Sequence, residues 1–218
     1  MTLAHLSLAS ATFLAALFTT PAALAQDAAA GKTKAATCIG CHGIAGYQSS
    51  FPEVFKVPKI SGQSAGYIVA ALTAYKKGDR KHPTMRSAAM SLSDKDMADL
   101  GAFYSTHGVS DVKTVATAPQ PSPAVAALLT KGNCTSCHGA DFNKPIAGNY
   151  PRLAGQHGDY LYASLRAYGT EGNPQVGRAN AIMSGQVKAF TRAELKQIAD
   201  YIASLPGDLK TVRQSPFR

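Results

Sequence analysis

The chain has 218 residues, 45% of them hydrophobic and 16% charged, with a formal net charge of +9; that length allows one or two domains and does not decide between them. Divided near residue 115, the halves carry 11 basic with 7 acidic and 11 basic with 6 acidic residues, or +4 and +5. The basic excess is shared, and with neither a basic run nor a recognition motif beside it, it argues against a nucleic-acid partner.

Residues 1–25 read as a secretory signal. Leu6 to Leu17 is an apolar run rich in Ala and Leu, followed by Pro21 and the small-residue ending Ala23-Leu24-Ala25, which predicts cleavage after Ala25. The run is short for a bilayer span, although the segment before it is unusual in having no Lys or Arg. No later stretch is long and apolar enough to cross a membrane, so an exported, periplasmic protein is expected.

Asp27 to Thr37 is Ala-rich and predicts a short helix leading into Cys38-Ile39-Gly40-Cys41-His42, a pattern that returns as Cys134-Thr135-Ser136-Cys137-His138. C-x-x-C-H is the pattern of c-type haem attachment. Two thiols three positions apart can each add across one haem vinyl group, and the adjacent His then lies under the iron. The two motifs use all four cysteines, leaving none for a disulfide or a Cys₄ zinc site, and the βαβ context of a thioredoxin-type pair is missing. Two covalently bound haem c groups are therefore expected, on Cys38 and Cys41 and on Cys134 and Cys137, with His42 and His138 as proximal ligands. Haem attachment requires export in bacteria, in agreement with the signal.

Gly43 to Lys56 reads as a Gly- and Ser-containing loop. After Pro58-Lys59-Ile60-Ser61-Gly62-Gln63, the residues Tyr67, Ile68, Ala71, Leu72 and Tyr75 follow 3.6 spacing and predict an amphipathic helix ending near Gly78. Residues 79–91 read as a polar, Met-containing loop with Pro83. Ser93, with Asp96 three residues on, predicts a capped helix that buries Met97, Leu100 and Phe103 and stops at Gly108. Residues 109–123, where Pro119, Pro121 and Pro123 alternate, read as a stiff linker between domains at 26–108 and 124–218.

The second half repeats the first. Pro151 to Gln156 restates Pro58 to Gln63 at an offset of 93, with Tyr160, Leu165 and Tyr168 in the places of Tyr67, Leu72 and Tyr75. The haem motifs are offset by 96 and the last helices by 98, where Thr191 and Glu194 form the cap and Leu195, Ile198, Tyr201 and Leu205 the apolar face. The chain is a tandem duplication of one small, mostly helical unit, without the period-2 alternation of a sheet. A unit of about 90 residues is small for a core of its own, and haem supplies the apolar bulk.

An iron with one protein ligand can bind gas or peroxide, whereas one with two is restricted to electron transfer. In the second half Met183 is the one methionine after Met97, and it precedes Phe190 by seven residues at the end of a Gly-, Asn- and Pro-containing loop. The first half offers Met85, Met90 and Met97, with His82 and His107 besides. Met85 precedes Leu92 by the same seven residues, which favours it, and Met97 falls on an apolar helix face. Met90 and His82 stay open as alternatives. His107 and His157 have no counterparts in the repeat and read as surface residues. His/Met ligation raises the reduction potential relative to His/His.

With these residues placed, the chain resembles the dihaem cytochromes c4, two class I cytochrome c domains in tandem, from about Asp27 to Leu205. The resemblance rests on the paired C-x-x-C-H motifs, the P-x-[IL]-x-G-Q elements at Pro58 and Pro151, and the methionine segments leading into Leu92-Ser93 and Phe190-Thr191. It implies an all-α fold, each domain a small helical bundle around a covalently bound haem, with Met85 and Met183 as distal ligands. It further implies that Pro58 and Pro151 sit beside the proximal histidines, their carbonyls accepting from the imidazoles. The implied function is an electron carrier, not an enzyme, without a small-molecule substrate, working between a quinol-oxidising complex and a terminal oxidase. A positive surface suits an acidic docking partner, or anionic lipid headgroups and hence peripheral membrane association. Two departures bear on docking at the first haem edge: residues 44–57 are longer than the matching loop and carry Phe51, Pro52 and Phe55, and Phe190-Thr191 replaces the usual Leu-Ser. The rival readings are a dihaem subunit of a flavocytochrome-type dehydrogenase and a dihaem enzyme such as thiosulfate dehydrogenase, the latter disfavoured by the lack of a Cys outside the two motifs.

Overall fold

The computed structural model describes residues 26–109 and 117–213; the expected signal and residues 110–116 of the expected linker lie outside the described residues. In the first half α1 (Ala28–Lys34) starts on Asp27, whose carboxylate accepts from the Ala29 and Ala30 N–H groups and so satisfies two orphan donors of the first turn. It runs into α2 (Ala36–His42), which carries the first haem motif. A short ladder of β1 (Gln48–Ser49) and β2 (Phe55–Lys56) follows, then α3 (Ala65–Lys77), which ends on Gly78 at φ +86°, a left-handed stop that glycine adopts without strain. After β3 (Arg80–Lys81) and α4 (Pro83–Met90), α5 (Asp94–Thr106) opens on a reciprocal cap between Ser93 and Asp96.

The second half repeats the plan. Its helices are α6 (Pro123–Lys131), α7 (Cys134–His138), α8 (Gly158–Tyr168), α9 (Ala181–Val187) and α10 (Arg192–Ser204), with β4 (Gly177–Arg178) before α9. Thr191 and Glu194 form the same reciprocal cap on α10. Each half has its own core. Ile68, Leu100, Phe103 and Tyr104 close the first, and Leu128, Phe142, Leu161, Ile198 and Ile202 the second. Met97 is buried, as its helix face predicts.

Two expected loops are helical. Residues 79–91 form β3 and α4, with Pro83 in the first turn, where its missing N–H costs nothing. Met183 likewise sits within α9, not at the end of a loop. Ala89 is the buried residue of α4 and Val187 that of α9, so neither segment has an apolar stripe for periodicity to reveal. Pro123, expected in the linker, is the first residue of α6, with the Ser122 hydroxyl accepting from the Val125 N–H. The expected loop at 43–56 folds back on itself as the β1–β2 ladder. His107 and His157 are half-buried, not surface residues: His107 stacks on Phe103 at 4.5 Å and contacts the Ser61 hydroxyl at 2.9 Å, and His157 is the N-cap residue of α8.

The halves meet through matched residues. β3 and β4 pair antiparallel with Arg80 opposite Arg178, and Gln63 and Gln156 each bond the backbone of the other half. Contacts in which each residue's counterpart repeats the bond in reverse are the signature of a two-fold relation.

Candidate haem sites

A largely apolar cavity of about 380 Å³ opens in the first half. Residues three and four apart share one face of a helix, so α2 presents Cys38, Cys41 and His42 together to this cavity, and Met85 reaches it from α4. Ile68, Leu72 and Tyr75 of α3 and Leu100 and Tyr104 of α5 supply more of the wall. His42 Nδ1 lies 2.8 Å from the Pro58 carbonyl, and donating to that oxygen leaves Nε2 as the unprotonated nitrogen. Burial lowers the His42 pKa, opposed by the Pro58 carbonyl, which favours the neutral imidazole that binds metals. Of the alternatives to Met85, Met90 is 61% exposed and His82 lines the cavity while its Nδ1 accepts from the Met85 N–H at 3.4 Å.

The second set is carried on the matching elements. α7 places Cys134, Cys137 and His138 with the same spacing, and His138 Nδ1 stands 3.5 Å from the Pro151 carbonyl, a looser contact than in the first half. Burial lowers the His138 pKa as well. Cys134 packs against the second core beside Leu129, Leu153 and Phe190. Met183 is the third residue of α9, as Met85 is of α4, and its N–H donates to the Asn180 side chain at 2.9 Å where Met85 uses His82. One cap thus fixes each methionine at the same helical position.

A cluster between the halves escaped sequence reasoning. Arg80 donates to the hydroxyls of Tyr67 and Tyr160, and Arg178 to those of Tyr160 and Ser164. The Arg80 guanidinium lies 4.6 Å from the Tyr75 ring centroid and that of Arg178 5.3 Å from the Tyr168 centroid, close enough for cation–π attraction. The signal was present, because these arginines recur at an offset of 98 and the tyrosines at 93, but periodicity alone ascribes them to helix packing.

The family model for cytochrome c matches residues 28–107 and again 123–206. Cytochrome c4 of Azotobacter vinelandii is 32% identical over 198 residues, covering 83% of this chain and 90% of that protein. The chain belongs to the cytochrome c4 family. The crystal structure of reduced recombinant cytochrome c4 from Pseudomonas stutzeri superposes with a TM-score of 0.62 at 29% identity, over 84% of this chain and 100% of that one. A protein of Stutzerimonas stutzeri (strain A1501) named thiosulfate dehydrogenase electron acceptor is 27% identical over 180 residues, covering 78% of this chain and 80% of that protein.

As a cytochrome c4 the chain is a dihaem electron-transfer protein with two covalently bound haem c groups, and its own residues fit that cofactor. Both cysteines of the first motif open onto one cavity whose wall is mainly apolar, as the macrocycle requires. Arg80 Nε and Arg152 Nε, on the same wall, are buried without hydrogen-bond partners among the described residues. Buried donors of that kind are costly unless paired, and carboxylates such as the haem propionates are natural partners for guanidinium groups. When bound, the cofactor supplies an iron that changes oxidation state by one electron.

Proposed function

We propose that the chain is an exported, periplasmic carrier in which His42 with Met85, and His138 with Met183, ligate the two irons. It passes single electrons between respiratory complexes, from a quinol-oxidising complex toward a terminal oxidase. The observation that carries this reading is the convergence of Cys38, Cys41, His42 and Met85 on one cavity. Cleavage after Ala25 would leave one residue ahead of the helix-capping Asp27, so processing there spares the ordered fold.

In this reading the residues hold and orient, and take no part in covalent turnover. The Pro58 and Pro151 carbonyls fix the two imidazoles, and His82 and Asn180 fix the backbones of the two methionines. Two protein ligands per iron leave no site for a substrate, and little rearrangement accompanies a change of charge. The reciprocal glutamine bonds and the β3–β4 ladder keep the halves in a fixed relation, so electron exchange between them does not wait on domain motion. The polypeptide's formal charge of +9, lowered by about four by the propionates of two haems, stays positive and attracts an acidic redox partner, accelerating encounter at low ionic strength.

One relative favours a second donor: the thiosulfate dehydrogenase electron acceptor suggests that a periplasmic dehydrogenase, not a quinol-oxidising complex, reduces this chain. Rapid mixing of the ferric protein with a purified quinol-oxidising complex plus quinol, and separately with a thiosulfate dehydrogenase plus thiosulfate, tests the pair. Fast reduction by the first supports the respiratory reading, and fast reduction by the second alone replaces it. Oxidation of thiosulfate by the purified chain itself would contradict both and make it an enzyme.

A further inference from the structure

Tyr104 of α5 is 3% exposed and shares the wall of the first cavity with Cys38. Its backbone carbonyl accepts from the Gly62 N–H at 2.8 Å, and in the second half the Ile202 carbonyl accepts from the Gly155 N–H at 3.2 Å. Tyr104 and Ile202 are therefore equivalent positions, at the offset of 98 that relates α5 to α10. One brings a hydroxyl to its haem site where the other is aliphatic.

Among the described residues that buried hydroxyl completes no well-formed hydrogen bond, and the polar group it stands beside is the Cys38 sulfur. Buried tyrosine hydroxyls normally find a partner, and the acceptor within reach of this one is the Cys38 sulfur, the atom that joins the haem. Burial holds the phenol far above its usual pKa, so it remains a proton donor throughout the neutral range. When Cys38 adds to a vinyl group, its thiol proton passes to the vinyl carbon and the sulfur becomes a thioether. A thioether accepts a hydrogen bond weakly and cannot donate one, which leaves Tyr104 as the sole donor of the pair.

We propose that the Tyr104 hydroxyl donates to the Cys38 thioether of the first haem and raises the reduction potential of that centre, a contact that Ile202 denies the second. It is a positioning residue acting through Cys38, and the inference rests on the reading that the first cavity holds a haem attached there. A hydrogen bond to a sulfur on the haem periphery withdraws electron density and favours the reduced form, hydrogen bonding around the cofactor being one of the protein's levers on potential.

The test is Tyr104→Phe in the holoprotein, which removes one oxygen and keeps the ring. A potentiometric titration, with the haem methyl resonances assigning each midpoint to its half, should show the first midpoint lowered and the second unmoved, with two haems per chain retained. In the unsubstituted protein, exchange into D₂O should shift the carbon–sulfur stretching bands of one haem, and that shift should vanish in Tyr104→Phe. Unmoved midpoints, equal movement of both, or a rise in the first would overturn the proposal, as would loss of a haem from the variant. Haem counting on the unsubstituted protein separates this from the cofactor reading: a first half without haem removes both, whereas two haems with unmoved midpoints remove the role of Tyr104 alone.

Discussion

Gln63 and Gln156 occupy the same place in the two repeats and hold the two halves together by the same bonds in opposite directions. Gln63 Oε1 accepts from the Arg152 N–H at 2.8 Å and its Nε2 donates to the Arg152 carbonyl at 3.0 Å. Gln156 does the same to Lys59, at 3.0 and 2.9 Å. Both side chains are buried, and each reads a backbone N–H and C=O at a part-buried interface.

Gln63→Ala or Gln156→Ala strands one donor and one acceptor of the other half together with the N–H of the next residue, Ser64 or His157, and a buried group left unsatisfied costs about 1–3 kcal/mol. Each variant should unfold at lower guanidinium concentration than the parent by a similar amount. The double variant should lose less than the sum, because residues in one interface couple. Equal stability of parent and single variants would show that these bonds do not hold the interface.

Gly31 governs a second contact. A Cβ at that position would stand 2.1 Å from the Asp99 carbonyl oxygen and 2.8 Å from Phe103 Cβ, so α1 approaches α5 this closely because residue 31 has no side chain. Gly31→Ala forces the helices apart. A loss of about 1–3 kcal/mol or more is expected, measured by thermal unfolding of the holoprotein, against the small gain that the same change brings at an open helical site. Unaltered stability would mean that the crossing is loose.

Asp99 makes the acid limb of stability predictable. Lys34 and Lys95, with the Asp27 N–H, hold its fully buried carboxylate far below the usual range. Ser93 and then Lys34 push Asp96 down to about 2. Because both folded pKa values lie below the unfolded one, the stabilisation is fully present above about pH 4 and is lost as pH falls from there toward and through the folded values. Asp99→Asn should be destabilised at pH 7, and the gap to the parent should narrow as pH is lowered from 4 to 2.5. A gap independent of pH would assign the effect of the substitution to packing.

Much of this was legible in the sequence because it was written twice. The haem motifs, the capped helices at Ser93 and Thr191 and the buried Met97 all follow from short-range patterns. Where only one residue of a helix is buried, as Ala89 in α4 or Val187 in α9, amphipathic spacing vanishes and the helix reads as a loop. The candidate site residues could be named one by one. What joins them could not, because the pairing of Arg80 with Tyr160 and of Gln63 with Arg152 depends on how the two copies face each other, and no pattern within one copy carries that. Tyr104 was hidden differently: it reads as one more apolar helix position until its buried hydroxyl is found beside Cys38 with no other partner among the described residues.

The most direct test of two closed His/Met centres is the absorption spectrum of the ferric protein and of its Met85→Ala and Met183→Ala variants. Haem is counted per chain, and the weak methionine-to-iron charge-transfer band is quantified. Two haems with a full band in the parent, half the band in either variant, and both haems retained throughout is the predicted result. A band that survives intact in either variant, or is missing from the parent, would contradict the ligation and open the iron to a substrate.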